Sequence, residues 1–300
     1  MAQDAVAAVM AKADRENFPV ASRLLPRRSR TGLLAIYGFA RLVDDAGDEA
    51  GGDRTALLDW LDGEVDRVYA GTPGHPLMRR LVPVVRRHSI PPEPFRRLIQ
   101  ANRQDQVVTS YATFEDLLAY CDLSANPVGH LVLHVFEAVT PRRMHLSDHV
   151  CTGLQLVEHW QDVSEDLRRG RVYLPQEDLA RFGCTREDLA AAGPSSRFRA
   201  LMAFEADRAR RLLDQGAPLA RDLGGRNGYA VAAFVAGGRS ALEAIERSGY
   251  DVLSRTPRPS GLRRAAAIVR ALATRGSAGN GRPALDAHPH AHPDPQEQRS

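Results

Sequence analysis

The sequence predicts an all-α protein, on three observations. Apolar residues recur at helical spacing almost throughout, as in Leu33, Leu34, Ile36, Tyr37, Ala40 and Val43. Runs that alternate apolar with polar residues, as half-buried strands require, are essentially missing. Helix-start signals accompany the pattern: Thr113 with Asp116 and Thr185 with Asp188 stand at capping-box spacing, and Ser147 is placed to cap the helix that leads to Asp162.

The elements follow in chain order. The N-terminal stretch MAQDAVAAVMAKADRE carries acids and lacks the apolar run of a signal peptide, and no segment reaches roughly 18 uninterrupted apolar residues. Prolines at 19, 26, 73, 76, 91, 92, 94, 141 and 175 punctuate the helices. The run YGFARLVDD is apolar but for Arg41 before its acids begin, which predicts a core helix ending in DDAGD, Asp44 to Asp48. The apolar segment from Phe114 to Val139 contains Pro127 and Gly129, which should kink or split it. A further helix carries LQLVEHWQDVSEDLRRGRVYLP from Leu154 to Pro175. Late in the chain, GLRRAAAIVRALATR (261–275) is basic and amphipathic, fitting either a membrane-surface helix or a solvated terminal one. From about Arg275 the chain turns to Gly, Ser, Pro, Ala and His with no apolar face to bury. The expected organisation is therefore one all-α domain, 1–274, and a disordered tail, 275–300, whose His288, His290 and His292 are a weak metal signal.

At 300 residues the chain is long enough for a single core that encloses a pocket. Its net charge of +3 is spread and forms no basic stripe, which argues against nucleic acid as a partner. Lys12 is its lone lysine; the arginine bias fits genomic composition, and any phosphate site would use arginine forks and no Schiff-base lysine. Cys121, Cys151 and Cys184 show neither zinc spacing nor an even disulfide set, and a reducing cytoplasm is the expected location.

Two acidic clusters carry the chemistry. In the first, Asp44 and Asp48 lie four apart on one helix face, and Asp45 and Glu49 one position round. Like charges at that spacing cost about 0.2–0.5 kcal/mol per pair, and Asp is a poor helix-interior residue. An acidic, solvated helix end capped by Gly47, Gly51 and Gly52 would account for this cluster alone. The second cluster repeats the arrangement: Glu158, Asp162 and Asp166 run at i, i+4, i+8, followed by Arg168, Arg169 and Arg171. Converging carboxylate ladders with arginines nearby suit Mg²⁺ shared with substrate phosphate; Ca²⁺ prefers a compact many-ligand loop, and zinc or iron prefers His or Cys. His159, adjacent to Glu158, is expected to point away from the ladder.

These residues resemble the squalene and phytoene synthase family over about residues 15 to 258. The family's first motif, Tyr, Arg, then Asp-Asp-x-x-Asp, is matched by Tyr37, Arg41, Asp44, Asp45 and Asp48. The second is matched by Gln155, Asp162, Glu165 and Asp166, then Arg171, Tyr173 and Pro175. YCDLSANPVG, Tyr120 to Gly129, is similar to the family's tyrosine–cysteine helix, Asp105 in NRQDQ matches an acidic position before it, and SGYDVLSR resembles its closing helix. ENFPVAS (16–22), SANPVG and VEHWQD are most similar to the hydroxysqualene synthases of the bacterial hopanoid pathway.

The resemblance implies a single-domain isoprenoid synthase (terpenoid synthase-like) bundle around a central apolar cavity. It implies Mg²⁺ on Asp44, Asp48, Glu158, Asp162 and Asp166, with Tyr37 beside them, and Arg41, Arg171, Arg255 and Asn17 as diphosphate contacts. Asn17 stands where the family generally has Ser, and Glu158 and Gln161 where it usually has Asn and Arg. Glu158 is then either a charged metal ligand or the group that orients water. The implied reaction takes presqualene diphosphate and water to hydroxysqualene and diphosphate without nicotinamide, with Val43, Leu123, Val128, Leu131, Leu154 and Val157 lining the apolar tunnel. Cooperation with a presqualene diphosphate synthase and peripheral contact with the inner membrane face are expected. The alternatives are a presqualene diphosphate or phytoene synthase joining two prenyl diphosphates, a non-catalytic assembly factor of the same fold, and a lipid carrier without chemistry.

Overall fold

The computed structural model describes residues 25–261 and 266–269. The expected tail, Asn17 and most of 261–275 lie outside the described residues. The helices in order are α1 (Arg27–Asp44), α2 (Arg54–Ala70), α3 (Pro76–His88), α4 (Glu93–Gln104), α5 (Phe114–Ser124) and α6 (Asn126–Val135). They continue with α7 (Pro141–Gln161), α8 (Val163–Arg168), α9 (Gln176–Arg181), α10 (Arg186–Leu189), α11 (Ser196–Gly216), α12 (Pro218–Leu223) and α13 (Gly225–Arg247). Among the described residues there is no strand, only an isolated bridge between Ser110 and Val172, as the missing alternation predicts.

Both expected capping boxes form. The Asp116 amide donates to Thr113 Oγ1 at 3.1 Å while the Thr113 amide donates back to Asp116 at 2.9 Å, and the Thr185 amide donates to Asp188 at 2.9 Å. The third expected start is wrong. Ser147 sits buried inside α7, which begins at Pro141 under a Thr140 cap that accepts from the Arg143 amide at 3.2 Å. Pro141 occupies the first turn, where its missing N–H costs nothing, so the helix starts earlier than the serine suggested. The apolar segment from Phe114 splits at Ala125, with Pro127 in the first turn of α6.

Helix α7 is the axis of the bundle, packed against α6, α8, α11, α12 and α13, while α1 packs on α3 and α4. Trp160 is fully buried and its indole N–H donates to the Glu205 carbonyl at 3.1 Å, which joins α7 to α11. A Cβ at Gly216 would lie 2.6 Å from a Val150 methyl, so only glycine allows α11 this close to α7. On the other side Phe39 of α1 meets Phe95 of α4 edge to face at 5.0 Å.

Between α1, α6, α7 and α13 an apolar cavity of about 260 Å³ remains open. Leu33, Ile36, Tyr37 and Ala40 line it from α1, Val128 and Val132 from α6, Val150 and Leu154 from α7, and Val231 and Phe234 from α13. Of the six residues expected there, Val128 and Leu154 line it. Val43, Leu131 and Val157 are buried core, and Leu123 packs against the core. Helical phase is the reason: the cavity stripe on α1 runs Leu33, Ile36, Ala40 and onward to Asp44, and that on α7 runs Val150, Leu154 and onward to Glu158. Val43 and Val157 are one residue out of phase and face inward.

Candidate active site

The same two stripes turn from apolar to acidic in their last turns. There α1 and α7 form walls of a second pocket, of about 350 Å³, lined by Asp44, Asp48, Asp105, Glu158, Asp162 and Asp166 against Arg169 and Arg171. All five carboxylates expected to hold metal therefore meet in one pocket, although more than a hundred residues separate the two clusters.

Neither cluster is a plain helix. After Asp44 the chain widens into a π-turn, Asp45–Glu49, closed by the Ala50 amide on the Asp45 carbonyl at 2.8 Å. Gly47 fits because nothing larger would: a Cβ there would lie 2.2 Å from Asn102 Oδ1. Asn102 hydrogen-bonds the Asp44 carboxylate, and Gln106 Nε2 donates to the Gly47 carbonyl at 3.0 Å. Gly47→Ala is therefore expected to push Asn102 off Asp44. We expect about 1–3 kcal/mol of lost stability and roughly tenfold lower turnover, read from thermal melts and steady-state kinetics on the same preparation.

The second cluster was expected as an unbroken ladder. Instead α7 ends at Gln161, Asp162 takes φ −104° and ψ 17°, and α8 restarts at Val163. The break keeps Glu158, Asp162 and Asp166 on the pocket while Gln161 turns away, buried, to donate its amide to the Pro257 carbonyl. That bond brings the segment after α13 against the motif. Thr256 hydrogen-bonds Asp162, and the Arg258 charge acts on the same carboxylate. Arg255, the expected diphosphate contact, is exposed and does not line the pocket; Arg258 is likewise exposed and outside the lining, and only its charge is felt at Asp162.

His159 corrects a second expectation. It lines the pocket, stacked on Tyr173 at 3.7 Å, with Nε2 3.1 Å from Gln155 Nε2. Positions 155, 158, 159 and 162 share one broad helix face, so adjacency to Glu158 does not turn the ring away. Burial, with Arg171 nearby, pulls its pKa down to about 3, and the ring is neutral. Tyr37 lines the apolar cavity and not the acidic pocket. Arg41 pairs with Asp45 at 2.8 Å, and Arg171 bridges the motifs by donating to Asp48 at 2.9 Å.

The carboxylates hold protons unusually well. Desolvation by the surrounding protein pushes Asp44 up to about 6, against the pull of Arg41 and Asn102, although the residue as a whole keeps an exposed surface. Asp105 rises to about 6 by burial, although Tyr120 donates to it at 2.8 Å. Asp166 rises to about 7, by burial and then by repulsion from Asp162, and Asp162 itself is raised by burial and by Glu165. Asp105 Oδ1 and Asp162 Oδ1 are buried without a hydrogen-bond partner among the described residues. Such a set favours any cation that can replace the protons. Among the described residues no three His, Cys, Asp or Glu side chains are grouped to hold an ion by themselves.

A sequence profile described as Squalene/phytoene synthase matches residues 11–264. The chain belongs to the squalene/phytoene synthase family. It is thereby an enzyme of the class that processes prenyl diphosphates. It is 33% identical over 252 residues to the 15-cis-phytoene synthase of Synechococcus elongatus, covering 79% of this chain and 82% of that one. It is 34% identical over 209 residues to the hydroxysqualene synthase of Rhodopseudomonas palustris, covering 69% and 71%. The crystal structure of squalene synthase HpnC from Alicyclobacillus acidocaldarius superposes with a TM-score of 0.77 at 40% identity, over 85% of this chain and 94% of that one. The all-α isoprenoid synthase fold is thus established.

Asn102 lines the pocket from α4, and Tyr120 and Ser124 line it from α5; the resemblance of NRQDQ and YCDLSANPVG covers all three, although neither spacing nor charge marks them by themselves. Asp105 was visible through the resemblance of NRQDQ. Arg258 was hidden, because only the fold lays Pro257 on Gln161.

Proposed function

We propose that the chain converts presqualene diphosphate and water to hydroxysqualene and diphosphate, with Mg²⁺ as cofactor and without nicotinamide. The observation that carries this reading is the change of character along one face of α1 and of α7. Each helix lines an apolar cavity and then an acidic pocket, which suits a substrate with a long hydrocarbon body and an anionic head.

Six carboxylates against one imidazole, His159, and the two orphaned buried carboxylate oxygens fit a hard cation. Asp44, Asp48, Glu158, Asp162 and Asp166 would hold it, with substrate phosphate completing its shell. Bound there, Mg²⁺ supplies the positive charge that lets diphosphate leave. Arg41 and Arg171 orient the head group; the carbon–oxygen bond breaks with its electron pair going to diphosphate. The apolar walls at Ile36, Ala40 and Leu154 keep bulk water from the cation. One water then adds to it and passes its proton to the released diphosphate, or to Glu158 in the alternative where that residue orients water and does not bind the metal.

The relation to a hydroxysqualene synthase and to a bacterial squalene synthase supports this choice. A second reading, condensation of two prenyl diphosphates, is favoured by the longer match to a phytoene synthase. Product analysis after incubation with presqualene diphosphate, with and without Mg²⁺ and NADPH, is the test. Hydroxysqualene formed only with Mg²⁺ and regardless of NADPH supports the proposal, and condensation of farnesyl diphosphate alone supports the second reading. No described helix is long and apolar enough to cross a membrane; a substrate this lipid-like would be met at a membrane surface.

Proton competition gives a pH test of the metal. The carboxylates at about 6 and 7 bind protons more tightly folded than unfolded, so their contribution to stability is full in acid and is lost as pH rises through those values. Mg²⁺ binding runs the opposite way. Its stabilisation, about 2.7 kcal/mol at a hundredfold excess over Kd, should be large near pH 8 and nearly absent near pH 5. Paired melts in Mg²⁺ and in EDTA measure it, and a pH-independent difference would count against these ligands.

A further inference from the structure

On α7, well before the acidic motif, His145 and His149 stand four residues apart on one helix face. Their Nε2 atoms lie 3.2 Å apart, with the ring centroids at 4.4 Å and the ring planes at 67° to one another. His145 is exposed and His149 half-buried, so the pair opens to solvent. Neither lines the acidic pocket or the apolar cavity. About 14 Å of helix, at roughly 1.5 Å per residue, separates His149 from Glu158.

The separation is that of a chelate. Two imidazole nitrogens bound to one metal at about 2.0–2.1 Å lie roughly 3.3 Å apart when the ion is tetrahedral and about 2.9 Å when it is square-planar. The observed distance falls between the two, so little side-chain rearrangement is needed for both rings to share an ion. Burial, and then His145, pull the His149 pKa below the usual imidazole range, which leaves that ring neutral and able to donate a lone pair. Asp148 acts on His149 in the opposite sense, and its Oδ1 stands 2.7 Å from His130 Nε2 on α6. A carboxylate beside the pair offsets part of the charge of a dication.

Ligand chemistry selects the ion. Two imidazoles favour Zn²⁺, Ni²⁺ or Cu²⁺ over Mg²⁺, the reverse of a carboxylate pocket. Among the described residues no third His, Cys, Asp or Glu completes a metal-holding group, so water fills the remaining positions and the ion is exchangeable. We propose that His145 and His149 form a metal site of their own, a two-histidine chelate for a borderline divalent transition ion, apart from the acidic pocket. A bound ion links two successive turns near the start of α7, the axis on which α6, α11, α12 and α13 pack. Occupancy should therefore stabilise the bundle without taking part in the reaction. The chelate is independent of which prenyl diphosphate is turned over.

Calorimetric titration of the full chain with Zn²⁺ in saturating Mg²⁺, paired with thermal melts, tests it. His288, His290 and His292 could also take up the ion, so the parent for these titrations is the full-length chain with His288→Ala, His290→Ala and His292→Ala. That parent should bind Zn²⁺ and melt at a higher temperature with it. His145→Ala and, separately, His149→Ala should each weaken binding by roughly tenfold or more, as one of two ligands is lost, and remove the thermal shift, while turnover with Mg²⁺ alone is unchanged. His145→Ala alters an exposed side chain and is the reporter should His149→Ala disturb folding. Loaded with Cu²⁺, the parent should show two nitrogen ligands by electron paramagnetic resonance, and either variant one. No Zn²⁺ binding by the parent overturns the proposal, and so does unchanged affinity in His145→Ala.

Discussion

Asp162→Asn is expected to lower turnover by at least ~100-fold, the scale of losing a main electrostatic contact to the leaving group, while the protein stays folded. Asp162 sits at the break between α7 and α8, with Oδ1 buried and unpartnered among the described residues. Asn has the same size, so the helix break and the packing around Gln161 survive. The raised pKa shows that burial and Glu165 already penalise the charged carboxylate. Removing that charge should leave the melting temperature in EDTA equal or slightly higher, and should shrink the stabilisation that Mg²⁺ gives. A variant that melts normally and still releases diphosphate at nearly the parental rate would sink the metal assignment.

The second large effect is steric. Ala40 lines the apolar cavity from α1, one helical turn before Asp44. Ala40→Phe would place an aromatic ring in a space of about 260 Å³. If it displaces four or five methylenes of a prenyl chain, at about 0.8 kcal/mol each, kcat/KM should fall roughly 100- to 1000-fold. The stabilisation expected from Mg²⁺ should be untouched, because its proposed ligands line the acidic pocket and not this cavity. A variant with normal kcat/KM would mean that the hydrocarbon lies elsewhere, and loss of the Mg²⁺ effect as well would point to a distorted first motif.

The carboxylates at 44, 48, 158, 162 and 166 were legible because clustered acids on apolar helices are costly and call for a cation. Tyr37 was legible as a motif member, yet it faces the apolar cavity. Val43 and Val157 were placed in the tunnel, and a phase shift of one residue put them in the core. His159 was turned away by an adjacency argument that a broad helix face defeats. Arg255 and Arg258 lie three apart in an irregular segment, where no periodicity says which charge is felt at Asp162.

What the sequence determined by itself is local: helical periodicity, capping boxes, and carboxylates repeated every fourth residue. Those properties depend on neighbours within one or two turns and are written in the order of residues. Tertiary structure decided the rest, because it depends on groups distant along the chain. It set Asp48 against Arg171, the Gln161 amide against the Pro257 carbonyl, and Gly47 against Asn102. It also decided that one face of α1 and of α7 should line a greasy cavity and then a charged one. Helix phase makes that stripe possible, and only the packing of the bundle brings the two stripes onto the same pair of cavities.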